Sequence, residues 1–521
     1  MEETAVKKKS PKYLIVLLVT ALVIVGGSAS AFFLMAKSPK VQYFLAEAET
    51  YKQMGTLFEE RYKNELDWMK VQQAQPVETI YDLSAEWNDP SVDYEMQEFQ
   101  SILNSVVLSM KHVNDPVKKE MELDFGGEFG SVSSKLVTMF ATPEKALFQF
   151  PFKDELIQFN DADYGKLMKE LDEDYVGNEE LGLSYLFEND YVFTEEIRTY
   201  LGKEYMEHFI KEIPEEAFSS DKEEISVFGE QRKTTKVVMN LSEEQVKTLF
   251  KNLFEKAKND EKLKEIVREQ ILFTTFGEGI SNDEVKEMME TFDEGLEVAI
   301  EDVDTWIFPD GLQSTIWHDS NNIVKREFTV SIGEDKEDIG TLTVAGTQLL
   351  EKTQQQWDYS VNVKDSFGDE GVMKIKGDLT WKDQQAEDSF MISMDEFKVV
   401  YKGQEQLKDN KRTFTRSFGF TDGDIDPAIV WKGTATHEKD SMKADHTLTI
   451  SDDVFVESPF NLIVKQQGKV VKNVEMPVES DDTVNLGEMD MDQLDRFIYY
   501  DFIPKVEGWF YGLLGELEGE L

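Results

Sequence analysis

The hydrophobic pattern divides the chain into stretches of different period. Residues 13–36 (YLIVLLVTALVIVGGSASAFFLMA) are apolar without a break and carry no charge. Ser38-Pro39 then supplies an N-cap and a first-turn proline. Apolar residues follow three or four apart at Phe44, Ala48, Tyr51, Phe58, Tyr62, Leu66 and Met69. That spacing predicts an amphipathic helix to about Val71, packed on the body of its own chain. From Val77 to about Phe159 alternation takes over, with Met121, Leu123 and Phe125 interleaved with Glu120, Glu122 and Asp124. Tyr94–His112 reads as a helix inside that stretch, and residues 160–215 return to helical spacing through Ile197, Leu201, Tyr205 and Phe209.

A helical block follows a short strand at Lys236–Met239. Ser242 and Gln245 form a capping box, and Val246, Leu249, Phe250, Leu253, Phe254 and Ala257 mark one face. Leu263, Ile266, Val267 and Ile271 repeat the pattern, and a third helix opens at Ser281 with Glu284 as reciprocal cap. From Trp306 to about Val484 the period is two almost throughout, as in Trp357, Tyr359, Val361 and Val363, with polar turns such as Asp319–Asn322 and Lys382–Asp388 between runs. One apolar and one charged face predict a half-buried antiparallel sheet. The chain ends in an acidic, aromatic helix from about Met491, broken near Pro504.

The expected fold is therefore α+β: one transmembrane helix, then long curved antiparallel strands whose apolar face is covered by amphipathic helices. The expected divisions are a tail (1–12), an anchor (13–36), a juxtamembrane helix (37–75), a mixed region (76–235), a helical block (236–305), a sheet region (306–484) and a C-terminal helix (485–521).

The uncharged run of residues 13–36 spans roughly 36 Å as a helix, enough to cross a bilayer core. Lys7, Lys8, Lys9 and Lys12 precede it, so the N-terminus stays in the cytoplasm and the bulk lies outside the cell. The lipid bilayer is thus one expected partner. Ala29-Ser30-Ala31 also fits a signal-peptide cleavage site, which gives a secreted alternative cut near Ala31. Either way the body is exported.

Composition narrows the chemistry. The chain has no cysteine, which removes disulfides, thiolate metal sites and cysteine nucleophiles. Net charge is −49, and residues 1–40 are themselves basic, so the body is more acidic still. Such a charge repels nucleic acid and anionic lipid heads, and no nucleic acid is expected as partner. The histidines His112, His208, His318, His437 and His446 lie far apart in sequence, with no metal-ligand spacing. Neither a G-x-S-x-G elbow nor a phosphate-binding loop occurs. Asp422, Asp424 and Asp426 have calcium-loop spacing, but Pro427 and Gly433 stand where that loop needs glycine and glutamate. No catalytic residue, metal ligand or cofactor is expected, and no enzymatic activity.

The segments KKKSPKY, SPKVQYFLAEAETYKQM and TTKVVMNLSEEQVKTLFKNLFEK resemble a domain of unknown function in single-pass exported proteins of Gram-positive bacteria. Architecturally, the long alternating strands with an interposed helix pair, as in TWIFPDGLQSTIWHDSNNIVKREFTVSI, look like the LolA- and LppX-like lipoprotein carriers. That resemblance implies a half-closed sheet holding acyl chains against helices. Two functions follow as expectations: a membrane-anchored, non-enzymatic binding or scaffold protein of the cell envelope with a protein partner, or a carrier of a lipid or other apolar ligand. A hollow lined by Trp357, Met373, Trp381 and Phe390 distinguishes the carrier; a filled interior there favours the scaffold.

Overall fold

A computed structural model of the chain describes residues 38–171, 175, 179–187, 194–274, 282–422, 428–451 and 459–518. The expected anchor at 13–36, the cleavage site near Ala31, and Asp424 and Asp426 lie outside the described residues. Among the described residues no helix is long and apolar enough to cross a membrane.

The chain begins with two helices in line, α1 (Pro39–Arg61) and α2 (Lys63–Ala74). A first meander follows: β1 (Val77–Trp87), α3 (Tyr94–Asn104), β2 (Val106–Asp115), β3 (Glu120–Phe129), β4 (Val132–Ala141), β5 (Lys145–Phe150) and β6 (Lys153–Asn160). Short helices α4 (Tyr164–Leu171), α5 (Glu195–Leu201) and α6 (Glu207–Glu212) lead to β7 (Phe218–Val227) and β8 (Glu230–Leu241). The helical block is α7 (Glu243–Lys258), α8 (Glu261–Thr274) and α9 (Asn282–Asp302). A second meander runs through β9 (Leu312–Asp319), β10 (Asn322–Gly333), β11 (Ile339–Leu350), β12 (Gln354–Lys364), β13 (Glu370–Thr380) and β14 (Gln385–Met394). It continues as β15 (Phe397–Lys408), β16 (Lys411–Asp422), β17 (Ala428–His437), β18 (Ser441–Ser451) and β19 (Phe460–Val470). Last come β20 (Val484–Asn485), α10 (Met491–Arg496) and α11 (Ile503–Glu518), the two helices joined by a π turn at Phe497–Phe502.

All of these strands belong to one 20-stranded sheet. The second meander runs in sequence order from β7 to β19; β19 then pairs antiparallel with β1, and the first meander continues to β6. Every ladder is antiparallel except the short parallel contact of β20 on β6. Tight hairpins keep the register: Ser320-Asn321, Asp383-Gln384 and Asp409-Asn410 all have positive φ at both turn positions, the geometry whose twist matches the flanking strands.

The alternation therefore reads the sheet correctly, with three corrections. Tyr94–His112 is not one helix: it stops at Asn104, and Val106 begins β2, whose alternate residues pair with β1. The strand expected at Lys236–Met239 extends over Glu230–Leu241. The expected sheet region 306–484 is not a separate body, because residues 77–160 and 218–241 belong to the same sheet, and its long strands end at Val470.

The main core forms where helices cover the sheet. Val246, Leu249, Phe250, Leu253 and Phe254 of α7 pack with Leu296 and Ala299 of α9, with Tyr43, Phe44 and Ala46 of α1, and with Val237, Met239 and Ile316 of β8 and β9. The capping box on Ser242 and Gln245 is present as expected. Beyond this cluster the helical block does not cover the sheet. Helices α1 and α2 cross it beyond that point, as a rod of roughly 54 Å, while α3 packs on Trp87 and the C-terminal segment packs through Phe502 and Trp509 on Phe150 and Phe152.

That rod is fastened along its length to its own chain. The Tyr43 hydroxyl lies 2.6 Å from Ser314 Oγ, and Arg326 donates to Glu47 at 2.5 Å. A bulge at Ile323/Lys325 in β10 releases the Ile323 amide, which donates to Thr50 Oγ1 at 2.8 Å. At the far end Trp68 lies against Met442, Ala444, Ala435 and Val77. The bare α-carbon of Gly468 makes room for its indole, since a β-carbon there would lie 2.8 Å from the ring.

Candidate functional site: the helix-bearing face of the sheet

Strand periodicity places Trp357, Met373 and Phe390 on the face that carries the rod. Trp357 on β12 stands opposite Gly377 of β13, which stands opposite Phe390 of β14. A β-carbon at Gly377 would come within 2.7 Å of the Trp357 ring and 2.9 Å of the Phe390 ring, so both rings lean over the glycine from either side. Met373 faces Val361 and Met394 in the same ladders. Trp357 and Phe390 are thus brought together, and Met373 shares their face four residues along β13.

Trp381 is not with them. It lies just past β13, with Arg61 Cζ 5.5 Å and Arg412 Cζ 5.6 Å from its ring centre. It stands beside the two guanidiniums of an ion cluster.

The apolar row continues in register. Phe390 pairs with Tyr401, Tyr401 with Phe418, Phe418 with Ile429, and Ile429 with Ile450. On the next strands Phe460 of β19 faces Trp87 of β1. From β12 to β1 this row runs roughly 38 Å across the strands. Side chains toward one end of these strands are open to solvent: Ile450 is 63% exposed, Met394 51%, Phe397 45% and Phe420 42%. The expectation that helices cover this face is thus met over β7–β10, and again at β3–β6, where Phe187, Phe502 and Trp509 pack on it; between them, among the described residues, lies an apolar trough open to solvent toward that end of β14–β18. The helical block is spent in the core beside β7–β10, and the rod crosses at the opposite strand ends.

Those opposite ends hold the charged groups. Arg61 of α1 makes two hydrogen bonds to Asp388, at 2.6 and 3.3 Å, and lies 3.1 Å from Glu405. Arg412 donates to Glu405 at 2.8 Å, to Glu65 of α2 at 2.6 Å and to the Arg61 carbonyl at 2.7 Å. Arg416 adds a further bond to Glu405 at 2.6 Å. The Asp388 and Glu405 side chains are 2% and 0% exposed. Burial alone would raise the Glu405 carboxyl; the guanidiniums of Arg61, Arg416 and Arg412 outweigh it and hold it below the usual range. Three basic side chains meet three acidic ones, so the cluster is balanced in formal charge.

Sequence reading did not find this cluster, although a signal exists. Asp388, Glu405, Arg412 and Arg416 occupy the parity that otherwise carries Phe390, Tyr401, Phe414 and Phe418. Charge on the apolar face of a half-buried strand needs a partner, and the basic partner arrives from the rod.

The polar groups within the trough are uncharged. Burial pushes the Tyr401 hydroxyl up to about 12 and the Tyr359 hydroxyl up to about 12. Trp431 Nε1 donates to His446 Nδ1 at 3.2 Å, and burial lowers that imidazole's pKa. His112, also lowered by burial, sits on β2. Among the described residues no group of histidine and carboxylate side chains has the arrangement of a metal site.

No family model matches the chain and no curated protein matches it. Among solved structures, the P pilus usher (PapC) translocation pore is 9% identical, with 71% of this chain aligned and a TM-score of 0.17. The chain spans 55% of that usher's length. OccAB2 of Acinetobacter baumannii is 7% identical, with 77% of this chain and 99% of that one covered and a TM-score of 0.22. A loop-deletion mutant of OmpT, an outer membrane protein of Vibrio cholerae, is 7% identical over 76% of this chain and 97% of its own, with a TM-score of 0.15.

Proposed function

We propose that the chain is a membrane-anchored, extracytoplasmic binding protein that carries the acyl chains of a lipid along the helix-bearing face of its sheet. Residues 13–36 anchor it, with the N-terminal lysines in the cytoplasm and the sheet displayed outside. The observation that supports the reading is the row from Trp357 to Trp87: aromatic and aliphatic side chains in register on successive strands, with Ile450 in the row and Met394, Phe397 and Phe420 beside it each more than 40% exposed. Contiguous exposed apolar surface of this extent marks a binding site. Backbone groups inside the sheet are already paired between strands, so an occupant of the trough needs no hydrogen-bonding groups, which suits hydrocarbon. The activity is binding, with no catalysis.

A second reading, a scaffold for a partner protein, draws on α3, where Tyr94, Phe99 and Ile102 are 72%, 52% and 52% exposed. Native mass spectrometry of the full chain after gentle extraction separates the two. The carrier reading expects a co-purifying lipid, lost from an Ile450→Arg variant that folds normally. A chain that carries no lipid and takes up no fluorescent fatty acid sinks it.

A further inference from the structure

The opposite face of the same sheet has a different character from the rest of this acidic chain. On β15 to β19 the outward positions include Lys398, Lys402, Lys411, Lys432, Lys443 and Lys465, all exposed. Asp445 is the acidic residue on that face of those five strands; at the borders Asp82 and Glu78 of β1 stand opposite Lys465 and Lys469 and Glu387 of β14 opposite Gln404, while Asp409 and Asp440 sit in the hairpin turns. Lys402, Lys432 and Lys465 step diagonally across the ladders, well inside the strand ends. In a chain of net charge −49 this is a locally positive surface. At ~0.1 M salt the Debye length is about 10 Å, so a ligand seated here feels these lysines far more than the distant acids.

Beside the lysines the outward face dips into an open depression of about 1010 Å³, whose lining includes Gln354, Gln385, Gln404, Gln406, Thr413 and Thr415. Lys382, Asp383 and Glu387 contribute charge to the same lining. Amides and hydroxyls of this kind donate to and accept from hydroxyl groups. No aromatic residue lies at an outward position of β12 to β19, so there is no platform on which a nucleobase stacks. Nor is any exposed large apolar side chain found outward on β15 to β19, so nothing there inserts into a bilayer.

We infer that this outward face docks an extended anionic polyol polymer, its phosphodiester groups on the lysines and its hydroxyls in the glutamine- and threonine-lined depression. The two faces of one sheet then serve different ligands: hydrocarbon on the side of the rod, a hydrated polyanion on the other.

The test is binding of the full chain in detergent to synthetic poly(glycerol phosphate), with neutral dextran and phosphatidylglycerol vesicles as separate arms. Each lysine at a polyanionic surface contributes roughly a fivefold gain. The quadruple variant Lys402→Gln, Lys432→Gln, Lys443→Gln, Lys465→Gln is therefore expected to lose at least about a hundredfold in affinity. The matching four Lys→Arg substitutions retain binding, and raising salt from about 50 to about 200 mM weakens it steeply. Co-purifying lipid is unchanged in both variants, which separates this surface from the trough. The inference is overturned if the polymer does not bind, if dextran binds equally, or if the glutamine variant binds as well as the parent. Preferential binding of the vesicles through these lysines overturns it too, by making the occupant a bilayer.

Discussion

Removal of the Arg61 guanidinium tests whether the ion cluster holds the rod to the sheet. Arg61→Ala leaves Asp388, 2% exposed, with only the Thr380 amide as donor, at 3.2 Å. Glu405 keeps Arg412 and Arg416. Stranding a buried charge in this way costs about 3–5 kcal/mol. The loss falls on the contact between α1–α2 and β14–β16, so the rod opens before the sheet unfolds. At 1.36 kcal/mol per tenfold, amide exchange in residues 62–74 accelerates roughly 150- to 5,000-fold, while β8 and β9 keep their protection. Tryptophan emission changes with it, because Arg61 lies over Trp381. The double variant Arg61→Leu, Asp388→Leu removes one charge of each sign and returns to within about 1 kcal/mol of the parent. An Arg61→Ala exchange rate within about fivefold of the parent, or a double variant no better than the single, refutes the assignment of this cluster as the fastening.

The remaining expectations concern packing and pH. Trp68→Ala empties the contact with Gly468 and Met442 and lowers stability by about 3–5 kcal/mol in urea unfolding. Gly377→Ala pushes a β-carbon against the Trp357 and Phe390 rings and costs about 1–3 kcal/mol, whereas Gly371→Ala, with nothing within 4 Å, is near neutral in the same assay. Burial lowers the pKa of His318, His112, His437 and His446 in the folded state. The unfolded chain therefore binds protons first as pH falls below about 6.5, and stability, fully present above that value, declines through it. Glu405 adds a second loss below the ordinary glutamate range. Both limbs appear as falling urea midpoints between pH 7 and 4. His318 has neither ring nitrogen partnered, so His318→Leu raises the midpoint at pH 7 and flattens the upper limb.

Much of the sheet was legible because its strands keep strict alternation and because their turns are built from Asn, Asp and Ser. The helical block was legible for the same local reason: Ser242 and Gln245 announce the start of α7. What alternation does not carry is order among strands. The pairing of β1 with β19 joins residues nearly four hundred apart, and no local signal near Val77 points to Val470. For the same reason the extent of helix cover was misjudged, since amphipathic spacing shows that a helix buries a face without saying which part of the sheet it meets. Of the four residues expected to line a hollow, Trp357 and Phe390 meet over Gly377, and Met373 shares their face further along β13. Trp381 keeps the same face but sits at the strand end where the rod crosses, beside Arg61 and Arg412. The outward lysines were hidden by total charge, which averages over faces that the fold keeps apart.

Continuous pairing from β7 round to β6 also limits where another chain can add on. A sheet of twenty strands presents just two rims. The β7 rim carries Asp221, Lys222, Glu223 and Glu224 in succession, and the β6 rim is partly capped by the parallel turn of β20. Charged and shortened rims discourage strand addition. Templated growth of the sheet is thereby disfavoured at both borders, although one of its sides carries so much open hydrocarbon.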